Sequence, residues 1–204
     1  MTSEVSLRER KKQATRAALS HAAWSLMIEH GLEAVTPETV AEAVDVSPRT
    51  FRNYFASREE AILYGLVRRA GSIGEALRAR PAGEPVWDSL IEVLPDAVAG
   101  MVGESHDLLL MMHAVLRDPA MFAQHLVAFE HGQEVLVAVI AERMGTDRCD
   151  LSPRLLAATA GVAIRTAVVA WAQAQADTSV AGLIRESLAV LRAGIPLGED
   201  PPTL

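Results

Sequence analysis

The apolar positions of this chain recur at helical spacing, and no segment shows a convincing strand alternation. Leu19, Ala22, Ala23, Leu26 and Met27 stand at i, i+3, i+4, i+7 and i+8. They form one buried stripe on a helix from roughly Glu9 to His30, and Gly31 follows as its stop. Thr36 as N-cap and Pro37 at the first helical position open a short second helix, with Val40, Ala41 and Val44 on its inner face. Ser47 and Pro48 open a third in the same way, running through Phe55. A fourth begins at Ser57-Arg58-Glu59-Glu60, which has capping-box spacing, and continues to about Ala79. The stretch Arg80-Pro81-Ala82-Gly83-Glu84-Pro85 is the clearest break. Beyond it the pattern predicts helices near 86–102, 104–116, 119–144, 152–176 and 178–193, then a Pro/Gly tail from about 194. The fold expected is all-α, with about nine helices.

Residues 36–55 carry the most chemistry. Two capped helices are separated only by Asp45-Val46-Ser47, the spacing of a helix-turn-helix whose second helix enters the DNA major groove. Phe51 and Phe55, at i and i+4, face inward on Val40, Val44 and Val46, while Arg49, Arg52 and Asn53 point outward together. Arginine can bond guanine O6 and N7 in a fork, and asparagine can do the same to adenine N6 and N7. Thr50 and Tyr54 form a rim suited to phosphate oxygens, and the helix starts at Thr36 and Ser47 turn amides toward an anion. A helical hairpin with a merely solvated polar face would show the same spacing.

Charge changes this picture only through its distribution. The net charge is −7, which argues against a protein that coats nucleic acid indiscriminately. Yet Arg8, Arg10, Lys11, Lys12 and Arg16 stand within nine residues beside a single acid, Glu9, and Lys11 and Lys12 are the chain's two lysines. An acidic body with a basic leading edge can present one face to phosphate. The 204 residues are half hydrophobic, enough for a sizeable core. No basic segment precedes an apolar stretch at the start, and Leu155 to Trp171 is short, Ala-rich and interrupted by Arg165. A soluble, cytoplasmic protein with no membrane partner is expected. The lone Cys149 excludes an intramolecular disulfide and a cysteine zinc cluster.

Residues 10–63 resemble the DNA-binding domain of the TetR family of regulators. The resemblance rests on Thr15-Arg16-Ala17-Ala18-Leu19, Ala22-Ala23, Leu26-Met27, His30-Gly31-Leu32, Thr36, Val40-Ala41, Val46-Ser47, Thr50, Tyr54-Phe55 and Ser57-Arg58-Glu59-Glu60-Ala61-Ile62-Leu63. It implies a three-helix DNA-binding domain at 1–63 and a helical effector-binding and dimerisation domain at 64–204. It also implies that Tyr54 and Arg58 grip phosphates, and that Pro48, Arg49, Thr50 and Asn53 lie on the recognition helix. The chain departs from the family in three places. Asp45 stands where glycine is usual, though aspartate tolerates the left-handed region; Phe51 replaces a common tyrosine, and Arg58 a usual lysine. The full DNA-contacting set expected is Lys11, Lys12, Thr36, Ser47, Pro48, Arg49, Thr50, Arg52, Asn53, Tyr54 and Arg58.

In the second half the resemblance implies an effector cavity and a dimer interface made by the last two long helices. The small residues Ala157, Ala158, Ala160, Gly161, Ala163, Ala167 and Ala170 would let backbones approach across an interface, or equally within one chain. Ala158, Val162, Val169, Leu183 and Leu188 are the interface residues expected. Dimerisation would set two recognition helices about one helical turn apart on double-stranded DNA, so the operator expected is palindromic. For the effector, Trp87, Met101, Leu108, Met111, Met112, Met121, Phe122 and Phe129 are candidates, since methionine adapts to irregular apolar ligands, though such a stripe also serves as plain core. Arg117 and Arg165 could meet an acidic headgroup. The text from Ser47 to Phe55 resembles most the branch of the family with acyl-CoA-type ligands.

Other classes find little footing. His106 and His113, or His125 and His131, are not spaced as a zinc-protease pair, and Glu130, His131 and Glu134 read as surface polar residues. Neither a phosphate-binding loop, a dinucleotide fingerprint nor a Gly-x-Ser-x-Gly elbow is present, so no enzyme, cofactor or metal is expected. The main alternative is a DNA-binding module whose C-terminal domain recruits a protein rather than a small molecule.

Overall fold

The computed structural model describes residues 7–101, 105–174 and 179–194. The Met101 side chain, the tail beyond 194 and the helix ends expected at 102, 104, 175–176 and 178 lie outside the described residues. Within them the chain forms α1 (Leu7–His30), a 3-10 turn (Leu32–Ala34), α2 (Pro37–Ala43), α3 (Pro48–Tyr54) and α4 (Arg58–Arg78). Then come α5 (Val86–Met101), α6 (Ser105–Arg117), α7 (Pro119–Met144), α8 (Leu151–Ala174) and α9 (Val180–Ala193). No strand occurs among the described residues, as the periodicity predicts.

Local chemistry explains the short helices. The Thr36 hydroxyl accepts the Thr39 amide at 3.1 Å while the Thr39 hydroxyl accepts the Thr36 amide at 3.0 Å, a reciprocal cap that starts α2. The Ser47 hydroxyl accepts the Thr50 amide at 3.1 Å and starts α3. Between them Asp45 takes φ +53°, so the turn forms without the usual glycine. Gly31 ends α1 at φ +83°, a conformation that any side chain would strain.

The chain divides into two compact units: residues 1–71 with 104–132, and residues 72–103 with 133–204. The first is centred on Leu19, Ala23 and Met27 of α1, Val40 and Ala41 of α2, Phe51 and Phe55 around α3, and Ile62 and Leu63 of α4, all buried. Leu108, Met111, Met112 and Met121 are also buried in this unit. The sequence stripe on α1 is narrower than expected, because Ala22 and Leu26 are only half-buried.

In the second unit α9 packs against α5 and α8. Ala157, Ala160, Ala163 and Ala167 are buried on α8, with Ile184 and Leu188 buried on α9. Small side chains here permit close helix approach within one chain. Gly74 on α4 does the same toward α7, where an added Cβ would stand 3.2 Å from Val135 Cγ1. Among the described helices, α8 is the one long and apolar enough to cross a bilayer by length and composition. Its buried alanines account for part of that apolar character by packing.

Candidate nucleic-acid interface

The capped start of α3 and the inward pair Phe51 and Phe55 decide which face of α3 is free. Both rings are buried, with centroids 5.8 Å apart. The same anchoring leaves Arg49, Arg52 and Asn53 exposed on the opposite side. Arg49 and Asn53 make no side-chain hydrogen bond among the described residues, so both remain available to a base edge. Arg52 differs: its guanidinium donates to Glu38 of α2 at 2.8 Å, which holds it to the preceding helix.

A groove of about 430 Å³ opens between the start of α1 and the end of α3. Arg8, Lys11, Lys12 and Thr15 line one wall, and Thr50, Asn53 and Tyr54 the other. Three cations and no carboxylate line it, together with hydroxyl and amide groups, which is the donor set for phosphate oxygens. The sequence marked Lys11 and Lys12 as contacts and Arg8 as part of the same basic cluster, but missed Thr15, because only the tertiary packing of α1 beside α3 brings it to Asn53 and Tyr54. Thr36 and Pro48 are half-buried and Ser47 is exposed, each at a helix start. The Ser47 hydroxyl is already within 2.9 Å of the Thr50 hydroxyl.

Arg58, expected to grip a phosphate, has partners within the protein. Its Nε donates to Glu59 at 2.8 Å, one terminal nitrogen donates to the Leu32 carbonyl at 3.1 Å, and the other faces Glu33 at 3.4 Å. The bond to Glu59 raises the guanidinium pKa, against the opposing effect of burial. Arg58 thus braces the 3-10 turn against α4, and Glu59 is itself buried.

The effector candidates fall in both units. Leu108, Met111, Met112 and Met121 are buried in the first unit, where Phe129 is half-buried and Arg117 and Phe122 are exposed. Trp87 belongs to the second unit and donates its indole N–H to the Leu188 carbonyl at 3.2 Å. Arg165, also in that unit, is exposed. Of the interface candidates, Ala158 and Val162 are exposed on α8, while Val169 and Leu183 are half-buried. Leu188 is fully buried in its own unit, so it cannot meet a partner: the small-residue stripe that pointed to it packs α8 against α9 within one chain. No group of three His, Cys, Asp or Glu that could hold a metal ion occurs among the described residues.

Two family profiles match the chain. One, described as bacterial regulatory proteins of the tetR family, spans residues 19–63. The other, described as the MftR C-terminal domain, spans residues 84–196. The HTH-type transcriptional regulator TcmR of Streptomyces glaucescens is 34% identical over 186 residues, covering 87% of this chain and 81% of TcmR. The chain belongs to the TetR family. Members of that family are DNA-binding transcription regulators that dimerise, not enzymes, and this TetR protein is a transcriptional regulator.

Solved structures agree with the TetR assignment. The TetR-family repressor FadR of Thermus thermophilus, in complex with lauroyl-CoA, is 25% identical with a TM-score of 0.62, covering 93% of this chain and 98% of that one. FadR of Bacillus subtilis, in complex with stearoyl-CoA, has a TM-score of 0.61 at 18% identity, covering 87% of this chain and 98% of that one, a likeness of fold.

Proposed function

We propose that this regulator is a cytoplasmic homodimeric repressor that holds a palindromic operator and is released by a small apolar or amphipathic effector of the acyl-CoA type. The observation that carries the DNA half is the groove in which Arg8, Lys11 and Lys12 stand across from Asn53 and Tyr54. Arg49 and Asn53 read base edges; the groove wall, Thr50 and Tyr54 hold phosphates. The domain division at 63/64 belongs to the same reading, with DNA binding before it and effector binding and dimerisation after it.

For the dimer, Leu151, Leu155, Ala158, Val162 and Val169 fall on one face of α8 at alternating spacings of four, three, four and seven. Leu151, Leu155, Ala158 and Val162 are exposed, which suits a seam with a second copy. The effector half rests on the acyl-CoA complexes of the FadR relatives and on the methionines 111, 112 and 121. An effector that favours a dimer with wrongly spaced recognition helices shifts occupancy only by its differential affinity for the two states.

The experiment is a random-site selection on the purified protein, followed by titration of the winning duplex at fixed salt, with and without long-chain acyl-CoAs. A palindromic winner whose binding weakens on acyl-CoA addition is expected. Failure to enrich any sequence would defeat the DNA reading, and binding indifferent to every acyl-CoA would defeat the effector reading alone.

A further inference from the structure

One carboxylate joins the backs of the two groove walls. Glu60, in the first turn of α4, accepts from Arg16 at 2.9 Å through Oε1 and from the Ala56 amide at 2.8 Å through Oε2. The capping box at this helix start is therefore displaced. The Ser57 hydroxyl accepts the Glu60 amide at 3.1 Å, but the Glu60 side chain reaches one residue past the N-cap, to Ala56. The Arg16 guanidinium lies over the Tyr64 ring at 4.4 Å and the Phe55 ring at 5.1 Å, within cation–π range of both. Phe55 in turn meets Tyr64 edge-on at 5.5 Å and Phe51 at 5.8 Å.

Sequence adjacency gives this cluster its consequence. Arg16 follows Thr15, which lines the α1 wall, and Ala56 lies two residues beyond Tyr54, which lines the α3 wall. Neither Arg16 nor Glu60 lines the groove. We infer that Glu60 and Arg16 are positioning residues for DNA binding: their ion pair sets the distance between the basic start of α1 and the end of α3, so that both walls meet the phosphate backbone together. This rests on the DNA-binding reading above. Without the pair, α3 settles differently against α1, and one wall no longer reaches its phosphates.

Charge and position predict opposite signs for one substitution, which makes the inference testable. Glu60→Gln removes a negative charge from a domain that approaches a polyanion, so charge alone predicts tighter binding. Positioning predicts weaker binding, because the amide loses the ion pair with Arg16. The operator is first selected with the wild-type protein. Affinity for that duplex is then measured across a salt series for wild type, Glu60→Gln and Glu60→Asp. Active fraction is fixed by stoichiometric titration, and thermal melting and helix content are recorded on the same preparations. Aspartate keeps the charge but is one methylene too short to span Arg16 and Ala56 at once.

The result expected is roughly tenfold weaker binding by both variants, with the slope of log K against log salt shallower by about 0.9 for each phosphate no longer neutralised. A purely structural role would lower the melting temperature or the active fraction and leave that slope unchanged. Unchanged or tighter binding at an unchanged slope, or a loss fully accounted for by the active fraction, would overturn the inference. If Glu60→Gln lacks wild-type helix content, Glu60→Asp decides the question by the same readings. A wild-type protein that selects no sequence would instead defeat the DNA-binding reading, and the inference with it.

Discussion

Arg143 on α7 gathers the carbonyls of the segment that joins α4 to α5, and replacing it should unfold the protein at far lower urea. One terminal nitrogen donates to the Leu77 and Arg80 carbonyls, both at 3.0 Å. The other donates to the Pro81 carbonyl at 3.0 Å, the Glu84 carbonyl at 3.3 Å and the Ser89 hydroxyl at 3.0 Å. These acceptors run from the end of α4 to the first turn of α5; the Leu77 carbonyl also accepts the Arg80 amide at 3.3 Å and the Pro81 carbonyl the Glu84 amide at 3.1 Å. Arg143→Met keeps the stem and removes all five hydrogen bonds. Pro81 is exposed and its carbonyl can turn to water, whereas Ser89 and Leu77 are buried at 0% and 1% exposure. Two buried acceptors lose a charged donor, at about 1.5–3 kcal/mol each. Arg143 Nε is itself buried without a partner among the described residues, a cost that methionine relieves. The net loss is therefore about 3–4 kcal/mol. With a urea dependence of about 2 kcal/mol/M, the unfolding midpoint should fall by roughly 1.5–2 M. The comparison is made at one protein concentration, since a dimer's midpoint depends on it. Arg143→Lys retains charge without the fork and should recover about half. A midpoint within about 0.3 M of wild type in Arg143→Met would mean that these carbonyls find other donors, and the reasoning would fail.

Three further outcomes follow from the same structure. Hydrogen bonds from Arg80 and then Ser89 hold the Glu84 carboxyl at about 2, below its ordinary value, so it stabilises the fold above the unfolded pKa and loses that contribution as pH falls from 4.5 through about 2. Across that window wild type should lose stability more steeply than Glu84→Gln; parallel urea midpoints at pH 7, 4 and 3 would contradict the assignment. Leu188→Ala should cost about 2–5 kcal/mol by leaving a cavity under α9, with no change in oligomeric state. Val162→Asp should leave helix content intact and weaken the dimer, as read by sedimentation velocity over a concentration series. At the DNA, Asn53→Ala and Arg49→Ala should relax base preference in a repeated site selection. Lys11→Ala and Lys12→Ala should instead keep the preferred site and flatten the salt slope by about 0.9 each.

The helices, their caps and the helix-turn-helix were legible in the sequence because each depends on residues a few positions apart. Thr36 with Pro37, Ser47 with Pro48 and the left-handed turn at Asp45 are such local arrangements. So is the free face of α3, since burying Phe51 and Phe55 at i and i+4 dictates where Arg49 and Asn53 go. Partners that only the packing of separate elements brings together were not legible. Arg52 and Arg58 both read as cations for DNA; the sequence did not show that one also meets Glu38 of α2 and the other the Leu32 carbonyl. The alanine stripe of α8 fits an interface or an interior equally well, and only the packing of α9 against it buries Leu188 and leaves Val162 outside. Periodicity says which face of a helix is apolar; it carries no information on what that face meets. The same limit hid Arg16 and Glu60, 44 residues apart, whose ion pair exists only because α1 and α4 pack together around Phe55 and Tyr64.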